Sequence, residues 1–126
     1  MMKSYRVLLI EDNEELRLLY KENFKHHNFE VFEAADGQIA IDMALINAPD
    51  AIILDLMLPK QGGLGALKII RSLPELKHIP VIVLTALDNP EYHQAAKDMV
   101  QGYFLKTQIK PMELVERVRQ FLDESS

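Results

Sequence analysis

The sequence predicts a doubly wound α/β fold, in which helices cover both faces of a five-stranded parallel sheet. Three observations predict it. Short apolar runs alternate five times with segments whose apolar residues recur at helical spacing. The run IPVIVLTA (79–86) is continuously apolar, as is typical of the buried centre of a parallel sheet. The chain of 126 residues has the length of one domain with one core.

The first two strand–helix units follow this alternation. YRVLLI (5–10) and FEVFEA (29–34) are short and rich in Leu, Val and aromatic residues, which favours strands. The helix predicted over 36–47 has Asp36 as its N-cap. The helix predicted between the two strands, over 13–27, places four apolar residues on one inward face: Leu16, Leu19, Tyr20 and Phe24.

The remaining three units repeat the pattern. Strands are predicted over 50–55, 79–86 and 102–106, and helices over 64–73, 89–100 and 110–124. Asn89 is the predicted cap of the fourth helix, Pro90 is its first residue, and Pro111 opens the fifth. The inward faces of these two helices are predicted to carry Tyr92, Ala95, Ala96, Met99, Val115, Val118 and Leu122.

Composition excludes several classes of function. The formal net charge of −5 disfavours direct binding to nucleic acid or to an anionic membrane. Without cysteine, the chain has no disulfide, no thiolate nucleophile and no Cys-ligated metal. No apolar run is long enough to cross a bilayer, and the start of the chain is predicted to be a strand, not a signal peptide. We therefore expect a cytoplasmic protein.

Polar residues follow the predicted strands at the edge where ligands bind in parallel sheets. They are Glu11 and Asp12 after the first strand, Asp55 after the third, Thr85 at the end of the fourth and Lys106 at the end of the fifth. Three crowded carboxylates need a cation, and an all-oxygen ligand set favours Mg²⁺. The hydroxyl and the ammonium could then hold a second anion, and a phosphoryl group suits both the metal and these donors.

Each residue alone also has an ordinary structural explanation. Glu11 and Asp12 could cap the first helix, and Asp55 could be a turn residue. Thr85 could be a plain strand-end hydroxyl, and Lys106 a solvated charge. All of them fall on the edge where chemistry is expected, and this common location favours the functional interpretation.

Four motifs together resemble the receiver domain of two-component response regulators. They are ED (11–12), DLMLP (55–59), TA (85–86) and the lysine at the end of the fifth strand, Lys106. The resemblance covers the whole chain, so we expect a single receiver domain over 1–126 with no output domain in this sequence, which would be either a stand-alone receiver or a piece of a larger regulator. It also implies a flavodoxin-like (βα)5 fold with strand order 2-1-3-4-5.

The resemblance implies a role for each site residue. Asp55 would be the phosphoacceptor, taking a phosphoryl group from a histidine kinase or a phosphotransfer protein. The protein would then be a signalling phosphoacceptor and not an enzyme acting on a separate substrate. Mg²⁺ would be held by Asp12, Asp55, the backbone carbonyl of Met57 and, through water, Glu11. The phosphoryl oxygens would be held by Thr85, Lys106 and the amide of Ala86, and the conformational switch would involve Thr85 and Tyr103.

The resemblance also implies partners and a signal lifetime. Leu18 lies off the inward face of the first helix. By the resemblance, a kinase or phosphotransfer protein would bind this side of the helix and the loops of the site. A downstream protein or a second copy would use the face formed by helix 4, strand 5 and helix 5. Met57 and Leu87 occupy the two positions that flank the phosphoryl group. Both are apolar, which predicts a long-lived phosphorylated state.

Two residues depart from the family pattern. Thr107 follows Lys106 where the family usually has proline, and Gly62 stands where an Asp or Asn usually precedes the glycine of the loop after strand 3. A cis bond before a non-proline residue costs ~2.5–4 kcal/mol, so we predict a trans Lys106–Thr107 bond.

Features of the sequence disfavour three alternative functions. A degenerate receiver that only docks is disfavoured by the complete set of acids, hydroxyl and lysine. A phosphohydrolase with an aspartate nucleophile usually has a second acid two residues later, where this chain has Met57. A flavin-binding domain needs a phosphate-binding loop after the first strand, where the acidic EDNEE (11–15) would repel phosphate.

Overall fold

The computed structural model describes residues 2–58, 62–86 and 88–125. Five strands and five helices alternate along the chain: β1 (Tyr5–Ile10), α1 (Glu14–His26), β2 (Phe29–Ala34), α2 (Gly37–Asn47), β3 (Ala51–Leu54), α3 (Gly62–Ser72), β4 (Val81–Thr85), α4 (Pro90–Ala96), β5 (Gly102–Leu105) and α5 (Pro111–Ser125). The strands are parallel and lie in the order β2-β1-β3-β4-β5, which confirms the predicted fold class and strand order.

The sheet separates two hydrophobic clusters, one on each face. α1 and α5 cover one face with the buried side chains Tyr20, Phe24, Leu114, Val115, Val118 and Leu122. α2, α3 and α4 cover the other with Ala40, Ala44, Leu67, Ile70 and Ala96. Every residue of β3 and β4 is buried, as two-sided coverage requires. The buried stripe predicted for the fifth helix is therefore confirmed.

Side-chain caps set the starts of three helices. Asn13 Oδ1 accepts a hydrogen bond from the amide of Leu16 at 3.0 Å, so α1 begins one residue later than predicted. Asp36 Oδ1 accepts from the amide of Ile39 at 2.9 Å, and Asn89 Oδ1 accepts from the amide of Glu91 at 2.8 Å. These two contacts confirm the predicted caps of α2 and α4.

α4 is shorter than its sequence pattern predicts, because it ends at Ala96 and not at residue 100. The amide of Met99 bonds back only three residues, to the carbonyl of Ala96 at 2.8 Å. The carbonyl of Met99 accepts a hydrogen bond of 2.7 Å from Arg71 Nε on α3. This long-range contact holds the chain in a turn, and it leaves Ala95 exposed instead of inward as predicted.

Two further predictions about helices were wrong. Leu19 is exposed, because α1 buries only the narrower stripe of Tyr20 and Phe24, and Leu19 is rotated about 100° from Tyr20 around the helix. α3 begins at Gly62, two residues earlier than predicted, where the positive φ of 70° suits glycine. The position where the family usually has Asp or Asn therefore has a left-handed backbone.

One non-glycine residue ends a helix in an unfavourable conformation. Ala48 has a φ of 45°, in the left-handed region, and its amide donates to the carbonyl of Ala44 at 2.9 Å to close α2. Glycine normally fills such a helix end, because a Cβ is strained there.

Within the described ranges, none of the helices is both long and apolar enough to span a membrane.

Candidate functional site

The carboxyl ends of the strands bring the three predicted acids together. Glu11 and Asp12 follow β1, and Asp55 follows β3, the neighbour of β1 in the sheet. One carboxylate oxygen from each of the three residues lies within 4.8 Å of the others. Glu11 and Asp55 are buried, with only 2% and 5% of their surface exposed, whereas Asp12 is exposed. The cluster therefore opens to solvent on the side of Asp12.

Lys106 joins the two buried carboxylates. Its Nζ lies 2.9 Å from Asp55 Oδ2 and 2.5 Å from Glu11 Oε1. Burial alone would lower the pKa of Lys106, but its hydrogen bonds to Glu11 and Asp55 outweigh this effect and raise the pKa above its ordinary value. Burial also raises the pKa of Glu11, against the opposing effects of Lys106 and of the Asn13 amide, which donates to Glu11 Oε2 at 3.1 Å.

Backbone contacts hold Asp55 in place from both sides. Its amide donates to the carbonyl of Ile10 on β1 at 3.1 Å. Its Oδ1 accepts a hydrogen bond of 2.9 Å from the amide of Met57. The carboxylate is therefore attached to the turn that follows β3 and directed toward the acid pair after β1.

Gly63 is a site-supporting residue that the sequence prediction missed. Its amide donates to the carbonyl of Leu56 at 3.0 Å. A Cβ on Gly63 would lie 2.3 Å from the carbonyl oxygen of Asp55, a distance that no side chain tolerates. Only glycine lets the start of α3 lie against the Asp55–Leu56 backbone. The signal in the sequence was the pair of glycines just before a helical pattern.

Thr85 and Ala86 lie at the carboxyl end of β4, next to the strand that carries Lys106. Thr85 is buried and pairs with Leu105 in the register of β4 and β5, and its carbonyl accepts a hydrogen bond of 2.8 Å from the amide of Lys106. Ala86 is exposed. Pro59 of the DLMLP motif and Leu87, one of the two predicted flanking positions, lie outside the described residues.

The residue after Lys106 does not prevent the lysine from reaching the site. No peptide bond between described residues is cis, so the Lys106–Thr107 bond is trans, as predicted. The amide of Gln108 donates to the carbonyl of Leu105 at 2.9 Å and closes a turn around Thr107. Thr107 is exposed at the tip of this turn.

Tyr103 lies on β5 and packs against α4. Its ring makes an edge-to-face contact with His93, with 4.7 Å between the ring centroids. Its hydroxyl is buried and makes no hydrogen bond to the described part of the chain. Burial and the nearby Asp88 raise the pKa of Tyr103. The contact with His93 was not predicted, because the ring pair joins two elements that sequence patterns treat separately.

The chemistry of the donors suits a hard divalent cation. The cluster offers only carboxylate oxygens and nearby backbone carbonyls, which are the ligands that Mg²⁺ and Mn²⁺ favour. Lys106 contributes one positive charge against three carboxylates, so a divalent cation would neutralise the remaining charge. The exposed side of Asp12 provides the access that such an ion needs.

Two apolar side chains near the site are exposed. Leu18 has 55% of its surface exposed on the outer side of α1, as predicted, and Met57 has 48% exposed immediately beside Asp55.

Comparisons with known proteins identify relatives over nearly the whole chain. The family model described as "Response regulator receiver domain" matches residues 7–119. The transcriptional regulatory protein CpxR of Escherichia coli K12 is 33% identical over 120 residues, which are 95% of this chain and 50% of CpxR. The chain thus spans about half the length of the curated relatives it matches.

Two similar solved structures have names that specify their state. The phosphorylated cyanobacterial phytochrome response regulator RcpA is 31% identical with a TM-score of 0.84, covering 98% of this chain and 97% of its own. The Mn²⁺-bound form of the response regulator Rcp1 is 30% identical with a TM-score of 0.80, covering 97% and 96% of the two chains.

Proposed function

Since this chain belongs to the response regulator receiver domain family, we propose that it is a phosphoacceptor switch in which Asp55 takes a phosphoryl group from a histidine kinase or a phosphotransfer protein. One observation carries the proposal. A buried aspartate is held 2.9 Å from a lysine ammonium, inside a cluster of three carboxylates at the carboxyl edge of a parallel sheet. A buried acid that served only packing would be costly to desolvate.

In the proposed reaction, a carboxylate oxygen of Asp55 attacks the phosphorus atom of a phosphohistidine. A new O–P bond forms, the N–P bond breaks, and its electron pair returns to the imidazole nitrogen of the donor. Such transfers need a well-placed nucleophile and compensation of charge, with little other covalent chemistry. The Met57 amide orients Asp55. The Lys106 ammonium, which hydrogen-bonds the carboxylate before the reaction, could afterwards bind the phosphoryl oxygens and stabilise their negative charge.

Mg²⁺ is the proposed cofactor. Its ligands would be Asp12, Asp55 and the carbonyl of Met57, with Glu11 bound through water. When bound, the ion would supply positive charge to the carboxylate cluster and the incoming phosphoryl oxygens. The Mn²⁺-bound relative Rcp1 supports a divalent ion of this kind.

The proposed output is a change of the surface around β5 and its flanking helices. Thr85 and the amide of Ala86 would hold phosphoryl oxygens together with Lys106. Thr85 ends β4, the strand that pairs with β5. A shift of its side chain would therefore alter the packing that holds Tyr103 against His93. A downstream protein or a second copy would contact the face formed by α4, β5 and α5.

The proposed input surface surrounds Leu18. A kinase or phosphotransfer protein would bind the outer side of α1 and the loops that carry the acids. We place this exchange in the cytoplasm, and with a net charge of −5 we assign the domain itself no direct contact with nucleic acid or membrane.

The test is mass analysis after incubation with acetyl phosphate, with and without Mg²⁺. The parent chain should gain one phosphoryl group in a Mg²⁺-dependent way, and Asp55→Ala should gain none. Asp42→Ala removes an exposed carboxylate on α2 and is the matched control, which should label like the parent. If Asp55→Ala labels at the parent rate, the assignment of the phosphoacceptor is wrong.

A further inference from the structure

The side chain of Met57 lies outside the core although its backbone is fixed at the site. The amide of Met57 donates to Asp55 Oδ1 at 2.9 Å. Leu56 and Leu58 on either side are buried and anchor the turn, whereas 48% of the Met57 surface is exposed. The thioether is therefore open to small molecules in solvent, and it belongs to the residue whose own amide hydrogen-bonds the Asp55 carboxylate.

Exposure decides which thioethers react with oxidants. The chain has six methionines and no cysteine, so methionine is its only sulfur-containing residue. Met43 and Met99 pack partly buried against the core. Met2, Met57 and Met112 are exposed to similar extents, but only Met57 lies beside the acid cluster. The other two are natural controls for oxidation without proximity to the site.

We propose that Met57 is a site of reversible oxidation by peroxide that shortens the lifetime of the phosphoryl group on Asp55. The inference rests on the proposed phosphoacceptor function and adds a regulatory input to it. In the reaction, the sulfur attacks one peroxide oxygen, the O–O bond breaks, a sulfur–oxygen bond forms and water is released. The sulfur loses two electrons to the peroxide, and methionine sulfoxide reductases reverse the step.

The effect on lifetime follows from the polarity of the product. A thioether is apolar and would not orient water beside the phosphoryl group, whereas a sulfoxide oxygen is a strong hydrogen-bond acceptor. Placed beside Asp55, that oxygen would hold a water molecule close to the phosphorus atom, from which hydrolysis proceeds. One orienting contact worth ~1.4 kcal/mol corresponds to about a tenfold faster loss of phosphate.

The experiment compares two variants before and after treatment with hydrogen peroxide. Met2→Leu with Met112→Leu retains Met57, while Met57→Leu retains Met2 and Met112. Peptide mass analysis locates the sulfoxide, and the half-life of the phosphoryl group is measured after labelling with acetyl phosphate. We expect peroxide to shorten the half-life in the double variant by roughly three- to tenfold. Peroxide should not change the half-life of Met57→Leu, and sulfoxide reductases should restore that of the double variant.

Met57→Gln places a permanent polar group at this position and should resemble the oxidised chain. The inference is overturned if Met57 is oxidised no faster than Met43 and Met99, or if its oxidation leaves the half-life unchanged. An unoxidised parent that takes no phosphoryl group would overturn the proposed function as well. Failure of the oxidation inference and failure of the phosphoacceptor function are distinguishable, because the sulfoxide is located by peptide mass analysis independently of labelling with acetyl phosphate.

Discussion

Replacing Lys106 by methionine should lower the free energy of unfolding by about 3 kcal/mol. The ammonium lies 2.9 Å from Asp55 Oδ2 and 2.5 Å from Glu11 Oε1, and both carboxylates are buried. Removing one partner of a fully buried ion pair costs ~3–5 kcal/mol, because the remaining charge is uncompensated. Water can enter beside the exposed Asp12, so the lower end of that range applies here.

The assay is urea denaturation at neutral pH in the presence of a chelator. Lys68→Met, which removes an exposed lysine from α3, is the matched control and should change stability by less than ~0.5 kcal/mol. Adding Mg²⁺ should recover more stability in Lys106→Met than in the parent, because the ion would replace the lost positive charge. A loss below about 1 kcal/mol would refute the idea that the ammonium compensates two buried carboxylates.

The same variant has a predicted pH dependence. In the parent, burial already raises the pKa of Glu11 above its ordinary value of 4.5, and Lys106 opposes that rise. Without Lys106 the pKa of Glu11 rises further. A raised pKa favours the folded state below the unfolded value and destabilises it above the folded value. The stability difference between variant and parent should therefore shrink as the pH falls from neutral toward 4.5, and a constant difference would contradict this explanation.

Three other substitutions test separate parts of the structure. Leu18→Asp should reduce phosphotransfer from a histidine kinase but not labelling by acetyl phosphate, and equal loss in both assays would indicate misfolding instead. Ala48→Gly should raise the free energy of unfolding by ~0.5–1 kcal/mol by relieving the positive φ, and a lower urea midpoint would contradict this. Glu33 accepts hydrogen bonds from Lys21 at 2.9 Å and from Arg17 at 3.2 Å, so Glu33→Gln should cost roughly 0.5 kcal/mol at neutral pH, allowing for its partial exposure. Burial tends to raise the pKa of Glu33, but both cations outweigh it and lower the pKa below 4.5, so this cost should vanish as the pH falls through that lowered value.

The sequence alone was enough to predict the bounds and caps of those strands and helices that depend on residues close to one another in the chain. β1 and β2 have the predicted bounds, and Asp36 and Asn89 cap the predicted helices. Strand alternation, helical spacing and capping bonds all act over a few residues, so they are visible in a short window of sequence. The same alternation predicted that one edge of the sheet carries Glu11, Asp12, Asp55 and Lys106, because the carboxyl ends of parallel strands all lie at that edge.

Only the tertiary structure decided which side chains meet and how far each helix extends. Lys106 and Asp55 are 51 residues apart, and their contact depends on the order of three strands and on the turn around Thr107. α4 stops at Ala96 because Arg71, from another helix, accommodates the turn that follows. Gly63 must lack a side chain because the chain folds back after β3 and brings the Asp55–Leu56 backbone against it. Each of these features arises from packing between separate elements, and helical spacing or strand alternation within one element does not specify such packing.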